Sequence, residues 1–269
     1  MVEKNRLTIP ILEGIEQSVG CPLCYLWLKT EKSHMEHLLT NEVVMDPEFR
    51  QKVVLAKGFC NHHMHLLYKT AYKPGVLDGL GYALYARDVV ESVIEQLELF
   101  HLKGIDKLES MATRRIYWKR DRKHVVAQLL NIVRRAVLRK LPCPACEHLS
   151  SLDEIYLHTY LEMMNDDSVW KDFRLSKRGL CVPHFEAAVR MLDSGKLGAS
   201  AKIAVLVFEL EIELFQSIAH HLSEFIRKQS WDARNEPRGT EGEANNMSLN
   251  LLVGAQGLYM GRKYDENQM

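Results

Sequence analysis

An excess of charge of either sign is missing from this chain. Its 35 basic residues are balanced by 35 acidic ones, so bulk composition marks it neither as a polyanion binder nor as an acidic tail protein. Long apolar runs are missing too. No stretch of about 18 uncharged apolar residues occurs, and the best candidate, Ile203 to Leu214, is broken by Glu209, Glu211 and Glu213, so no membrane span or membrane partner is expected. Met1 to Gly20 carries Glu3, Lys4, Arg6, Glu13 and Glu16 and lacks the apolar centre of an export signal, which gives the expectation of a soluble, cytoplasmic protein. Alternating β-branched runs closed by two-residue turns are absent, which removes sheet architectures. Glycine-rich phosphate loops, a nucleophile elbow and an HExxH helix are absent as well, and with them the enzyme classes they announce.

No cysteine is left over, and this absence turns attention to what is there. All six cysteines belong to two copies of one pattern. The first copy is Cys21-Pro22-Leu23-Cys24 followed by Gly58-Phe59-Cys60-Asn61-His62-His63, and the second is Cys143-Pro144-Ala145-Cys146 followed by Gly179-Leu180-Cys181-Val182-Pro183-His184. A CPxC pair and a CxxH pair supply three thiolates and one imidazole, the ligand set of a closed tetrahedral zinc site. The expectation is two Zn2+ ions per chain, one on Cys21, Cys24, Cys60 and His63 and one on Cys143, Cys146, Cys181 and His184. Proline after the first cysteine suits a tight knuckle. The second pair should sit at a helix start, with its thiolate against the positive helix end. Each ion would then staple two helix starts together within its own half. An iron-sulfur cluster is the weaker metal reading, since histidine is the less usual fourth ligand there. Redox use of the CPxC dithiol would need a thioredoxin-like setting that the pattern lacks. His62 and His65 flank His63, but the matching positions of the second copy are Pro183 and Glu186, which favours His63.

The repeat extends beyond the ligands. Asp46, Phe49 and Gly58 fall opposite Asp167, Trp170 and Gly179 at an offset of 121, and His37 falls opposite His158. Each CxxH is followed by a short apolar segment, a turn containing glycine and a long amphipathic segment. Apolar positions at helical period, Leu80, Leu84, Val90, Val93, Ile94, Leu97 and Phe100 in one half and Leu206, Leu210, Leu214, Ile218, Leu222 and Phe225 in the other, predict two long helices with these side chains inward. The expected fold is all-α and internally duplicated, with halves 1–120 and 121–269. Further helices are expected over Pro10 to Gln17, Cys24 to Leu39, Pro47 to Leu55, His124 to Leu138, Cys146 to Met164 and Asn246 to Tyr259. Arg234 to Asn245 reads as a loop, and Lys263 to Met269 as a tail.

Other constellations are weaker. His37 and His158 share a repeat position and are candidates for a pocket, with ordinary helix-surface histidines as the simpler reading. Glu31-x-x-His34 and Glu98-x-x-His101 have the spacing of di-iron carboxylate bundles, but Asp153/Tyr156 and Glu213/Gln216 stand at the comparable places, so surface residues are the preferred reading. Glu209, Glu211 and Glu213 read as the solvated side of a helix. Arg114 to Lys140 holds ten basic residues against the single acid Asp121, with Tyr117 and Trp118 among them. It is a candidate contact for nucleic acid or another anionic ligand, the simpler reading being a solvated helix joining the halves.

The paired CPxC and GxCxxH elements, the Ile9-Pro10 start and the Trp231 to Gly239 segment resemble an uncharacterised bacterial family catalogued as a domain of unknown function. The resemblance covers nearly the whole chain and carries no activity, so it transfers no catalytic residue. The resulting expectation is a metal-binding helical protein acting as a binding or adaptor module for a protein partner. The alternative is an enzyme or redox protein with a pocket between its two repeats.

Overall fold

The computed structural model describes residues 5–73, 79–113, 137–176, 178–195, 197–233 and 235–255, together with 127, 130, 131 and 134. It is all-α, with no strand among the described residues. The helices are α1 (Thr8–Gln17), α2 (Pro22–Leu38), α3 (Asn41–Val44), α4 (Pro47–Leu55), α5 (Asn61–Ala71), α6 (Leu80–Thr113), α7 (Pro144–Met163), α8 (Asp167–Ser176), α9 (Val182–Asp193), α10 (Ser200–Arg227) and α11 (Ala244–Val253), with a 3-10 turn at Thr240–Glu243.

Local chemistry sets the helix starts. Proline stands first in α2, α4 and α7, where its fixed φ fits the helix and its missing N–H has no partner to lose. Asp46 caps α4 by accepting the Glu48 N–H at 2.9 Å. The same helix ends on Lys57 and Gly58, both at positive φ, where the Gly58 N–H bonds back to the Val53 carbonyl at 2.9 Å. The expected helix His124 to Leu138 falls largely outside the described residues, as does most of the basic segment. The expected loop Arg234 to Asn245 is more ordered than its composition suggests: Glu241 is buried, accepts the Gly239 N–H at 2.7 Å and pairs with Lys228 at 2.6 Å. The helix expected over Asn246 to Tyr259 stops at Val253, where Gly254 takes a positive φ.

The chain forms two compact units. One consists of Met1–Glu31 with Leu149–Met269, the other of Lys32–His148. These differ from the expected halves 1–120 and 121–269, because one unit is assembled from both ends of the sequence. Both boundaries fall inside helices, α2 and α7. In the first unit Ile11, Leu23, Leu26, Leu157, Tyr160 and Phe173 form the centre of the core, with Tyr160 edge-on to Phe173 at 4.8 Å. In the second, Met35, Leu38, Val53, Phe59, Leu67 and Tyr85 do so. Tyr85 is buried, its hydroxyl donates to the Leu38 carbonyl at 2.8 Å, and Phe49 and Phe59 meet its ring edge-on. Arg50 grips Asp88 with two bonds of 2.6 Å and ties α4 to α6.

The long helices depart from expectation in one respect. Of the positions expected inward, Val90, Ile94 and Leu97 on α6 are exposed, while Leu210 and Ile218 on α10 are buried. The helical period was legible, but each of these helices carries apolar residues on more than one face, and the period alone does not say which face meets the core.

Candidate metal centres

The eight expected ligands gather into two groups of four, and the grouping corrects the expected one. Cys21 and Cys24 meet Cys181 and His184, while Cys60 and His63 meet Cys143 and Cys146, with the ligand atoms of each group within 4.8 Å of one another. Each CPxC of one sequence half therefore completes the CxxH of the other half. The physical reason is helix length. Beyond Cys24 the chain runs on as α2, a 17-residue helix about 25 Å long at 1.5 Å per residue. Beyond Cys146 it runs on as the 20-residue α7. In neither half does the chain return from that helix far enough to place its own CxxH at its CPxC.

Each group is built from two helix N-termini. Cys60 and Cys181 are the N-caps of α5 and α9, and Cys21 and Cys143 immediately precede α2 and α7. All four carbonyls accept the first intrahelical bond, from Met64, Phe185, Tyr25 and Glu147. The second ligand of each pair lies three residues on, so the cap thiolate and the next ligand share one side of the first turn. The exposed N–H groups there carry partial positive charge and favour thiolate. Cys60 shows this directly: its sulfur accepts the His63 N–H at 3.5 Å.

The distances suit an ion. Metal bonds of about 2.3 Å to sulfur and 2.0 Å to nitrogen give tetrahedral edges of roughly 3.8 Å between sulfurs and roughly 3.5 Å from sulfur to nitrogen. In the first group the Nδ1 of His184 lies 3.5 Å from Cys21, 3.5 Å from Cys24 and 3.1 Å from Cys181, and Cys24 lies 3.5 Å from Cys181. In the second, the Nδ1 of His63 lies 3.2 Å from Cys60, 3.6 Å from Cys143 and 3.2 Å from Cys146, and Cys60 lies 3.7 Å from Cys146. Electrostatics makes the same point. Burial opposes ionisation of Cys21, but bonds from Cys181 and Cys24 outweigh it and hold this thiol well below its ordinary range. Bonds from Cys146 and Cys60 lower Cys143 likewise. Cys24 and Cys146 are pushed up because each keeps a proton that it donates to the sulfurs beside it. A cation among them could hold all three sulfurs of a group as thiolates.

The two groups differ in their surroundings. In the first, all four ligands are buried, whereas Cys60 and Cys146 of the second are partly exposed. The Nε2 of His184 lies 3.1 Å from the Asp153 carboxylate. That bond fixes the ring with Nδ1 free for a metal, the usual carboxylate support of a ligating histidine. Sequence reading passed over Asp153 as a metal-site residue, although it stands seven residues, two helical turns, beyond Cys146. Glu31 stands at the same step beyond Cys24 and is buried, contrary to the surface reading given to it.

Glu211 also corrects its expected role. Its neighbours Glu209 and Glu213 are exposed, but Glu211 is buried and its Oε1 accepts the Leu180 N–H at 2.7 Å, next to Cys181. Burial is the main cause that pushes its carboxyl up to about 8. The two motif glycines then serve different needs. Gly58 supplies a positive φ, while at Gly179 a side chain would meet Glu211 Oε1 at 2.7 Å and Leu214 at 2.9 Å. In the second unit the approach to the knuckle is held by Arg139, which donates to the Phe59 carbonyl at 2.6 Å, and by the Lys140 N–H on Leu55 at 3.0 Å.

His37 is exposed, and His158 pairs with Glu162 on its own helix at 3.4 Å. His34 stacks on His148 at 4.1 Å, while Glu98 and His101 are exposed. Among the described residues no helix is long and apolar enough to cross a membrane. No curated protein and no solved structure matches the chain. Residues 1–257 match the model of DUF6062, a family of unknown function, and the chain belongs to that family.

Proposed function

We propose that each Cys3His group holds one zinc ion as a structural staple and that the protein is a cytoplasmic binding or adaptor module, not an enzyme. The observation that carries this is the gathering of all six cysteines, together with two histidines, into two groups with tetrahedral edge lengths. Four protein ligands fill a zinc coordination shell and leave no position for substrate. Three thiolates and a neutral imidazole leave each zinc site with one net negative charge, and a protonated Glu211 near the first group adds no second one. Unpaired thiols at these positions fit a reducing compartment. Structural zinc contributes on the order of 10 kcal/mol of apparent binding energy, most of it expressed as folding stability.

Elemental analysis of the purified chain tests the reading. Two zinc ions per chain, and loss of cooperative unfolding after chelation, are the expected results. A brown protein containing iron, or a chain that keeps its fold and melting temperature without metal, would overturn it.

A further inference from the structure

Helix α10 carries two apolar faces, one buried in the core of its own unit and one mostly exposed, where among the described residues Phe208 alone meets a ring of that unit, Phe185, edge-on at 5.8 Å. Ile203, Val207, Leu210 and Ile218 are buried in the core. A second stripe runs along the helix at alternating steps of four and three residues: Ala201, Val205, Phe208, Ile212, Phe215, Ala219, Leu222 and Ile226. All of these are exposed except Leu222, which is half-buried; Ile212 keeps 56% and Ile226 keeps 68% of its surface in water. Alternation of four and three without a break is the seam of a coiled coil, not the wider face of a helix packed on a globular core. On α6 the corresponding stripe, Ala83, Arg87, Val90, Ile94, Leu97 and His101, is interrupted by Arg87 and His101. A second α6 stripe of the same steps, Ala83, Ala86, Val90, Val93, Leu97 and Phe100, is apolar throughout but half-buried at Ala86 and Val93, whereas the α10 stripe is exposed at every position but Leu222.

We propose that this stripe is the interface of a homodimer in which α10 pairs antiparallel with α10 of a second copy. Self-pairing accounts for the order of its side chains. With the two-fold axis between Ile212 and Phe215, Ile212 meets the second copy's Phe215, Phe208 meets Ala219, Val205 meets Leu222 and Ala201 meets Ile226. Every residue of the stripe is used, and each alanine faces a large side chain, so the layers keep an even width. Parallel pairing would set Phe208 on Phe208 and Ala219 on Ala219, making uneven layers, and would align the two helix dipoles.

Charge agrees with the antiparallel arrangement. One flank of the stripe carries Lys202, Glu209, Gln216 and Ser223, and the antiparallel register sets Lys202 against Ser223 and Glu209 against Gln216, with no like charges opposed. The two copies of Glu209 stand roughly 13 Å apart along the pair, beyond the Debye length of about 8 Å at physiological salt. The other flank is Ala204, Glu211, Ile218 and Phe225, of which Glu211 and Ile218 are buried within their own unit.

Sedimentation of the zinc-loaded full-length chain gives the first test, with twice the 31.1 kDa chain mass expected. Ile212→Glu places two carboxylates about one helical turn apart across the axis and should raise the dimer dissociation constant by about 100-fold or more. Metal content and helical circular dichroism should stay unchanged, because Ile212 faces solvent in the single chain. Chains bearing Phe208→Cys, mixed with chains bearing Ala219→Cys, should form a disulfide with each other and neither with itself. A monomeric wild type, a dimer that survives Ile212→Glu, or self-cross-linking of Phe208→Cys would each overturn the proposal. None of these outcomes depends on which metal the thiolate groups hold.

Discussion

Asp153 and Glu211 show how single carboxylates at one centre take opposite tasks. Asp153 supports the His184 ring, so Asp153→Asn should weaken metal affinity by about 10- to 100-fold in a chelator competition while the fold is kept. Burial pushes the Glu211 carboxyl up to about 8 in the folded chain, against 4.5 for a carboxyl exposed to water in the unfolded chain. Between those values the folded state binds a proton that the unfolded state has released. Stability therefore falls as pH rises through this window, by up to about 1.4 kcal/mol per pH unit, and levels off above it. Glu211→Gln keeps an acceptor for the Leu180 N–H and should flatten that slope in denaturant titrations at pH 5 to 8. The glycines invite a paired comparison. Gly58→Ala should cost about 1–2 kcal/mol for its left-handed backbone. The loss from Gly179→Ala should shrink in part when Glu211 is also made alanine, since that removes the carboxylate contact and leaves the one with Leu214.

At the scale of elements, the helix N-terminus is the recurrent device: four of them supply all eight metal ligands. On the proposed zinc reading such ends would depend on the ion for their shape, because the thiolates beneath them would repel one another without it. Chelation should first remove hydrogen-exchange protection from Met64, Phe185, Tyr25 and Glu147, whose N–H groups close those first turns. The α4 N-terminus holds no ligand and offers a control. Asp46→Ala should cost about 1 kcal/mol in stability without changing metal content. Helix existence was readable from period, proline and caps, and α4 begins and ends where the sequence placed it. The facing of α6 and α10 was not readable, since apolar residues lie on more than one side of each and burial depends on what packs against them.

At the scale of the whole molecule, the crossed ligand sets bind together parts of the chain that are remote in sequence: Cys24 meets Cys181 and Cys60 meets Cys146. Loops of that length cost entropy to close and delay the contacts that reward closure, so zinc added to unfolded chain should speed recovery of native structure. Fragments cut after residue 120 hold four ligands each but complete neither group. Each alone should bind zinc far more weakly than the full chain, and mixing them should restore two tight sites. Tight binding by the 1–120 fragment alone would count against the crossed arrangement. The amino-acid sequence by itself determined the helical class and marked out the six cysteines and two histidines that gather into two groups, because periodicity, proline and the spacing of sulfur and imidazole act over one or two helical turns. Which CPxC meets which CxxH, which carboxylates turn inward and which apolar stripe stays in water were decided only by tertiary structure. Those outcomes depend on where a helix of 17 or 20 residues delivers its far end, and no local pattern encodes that.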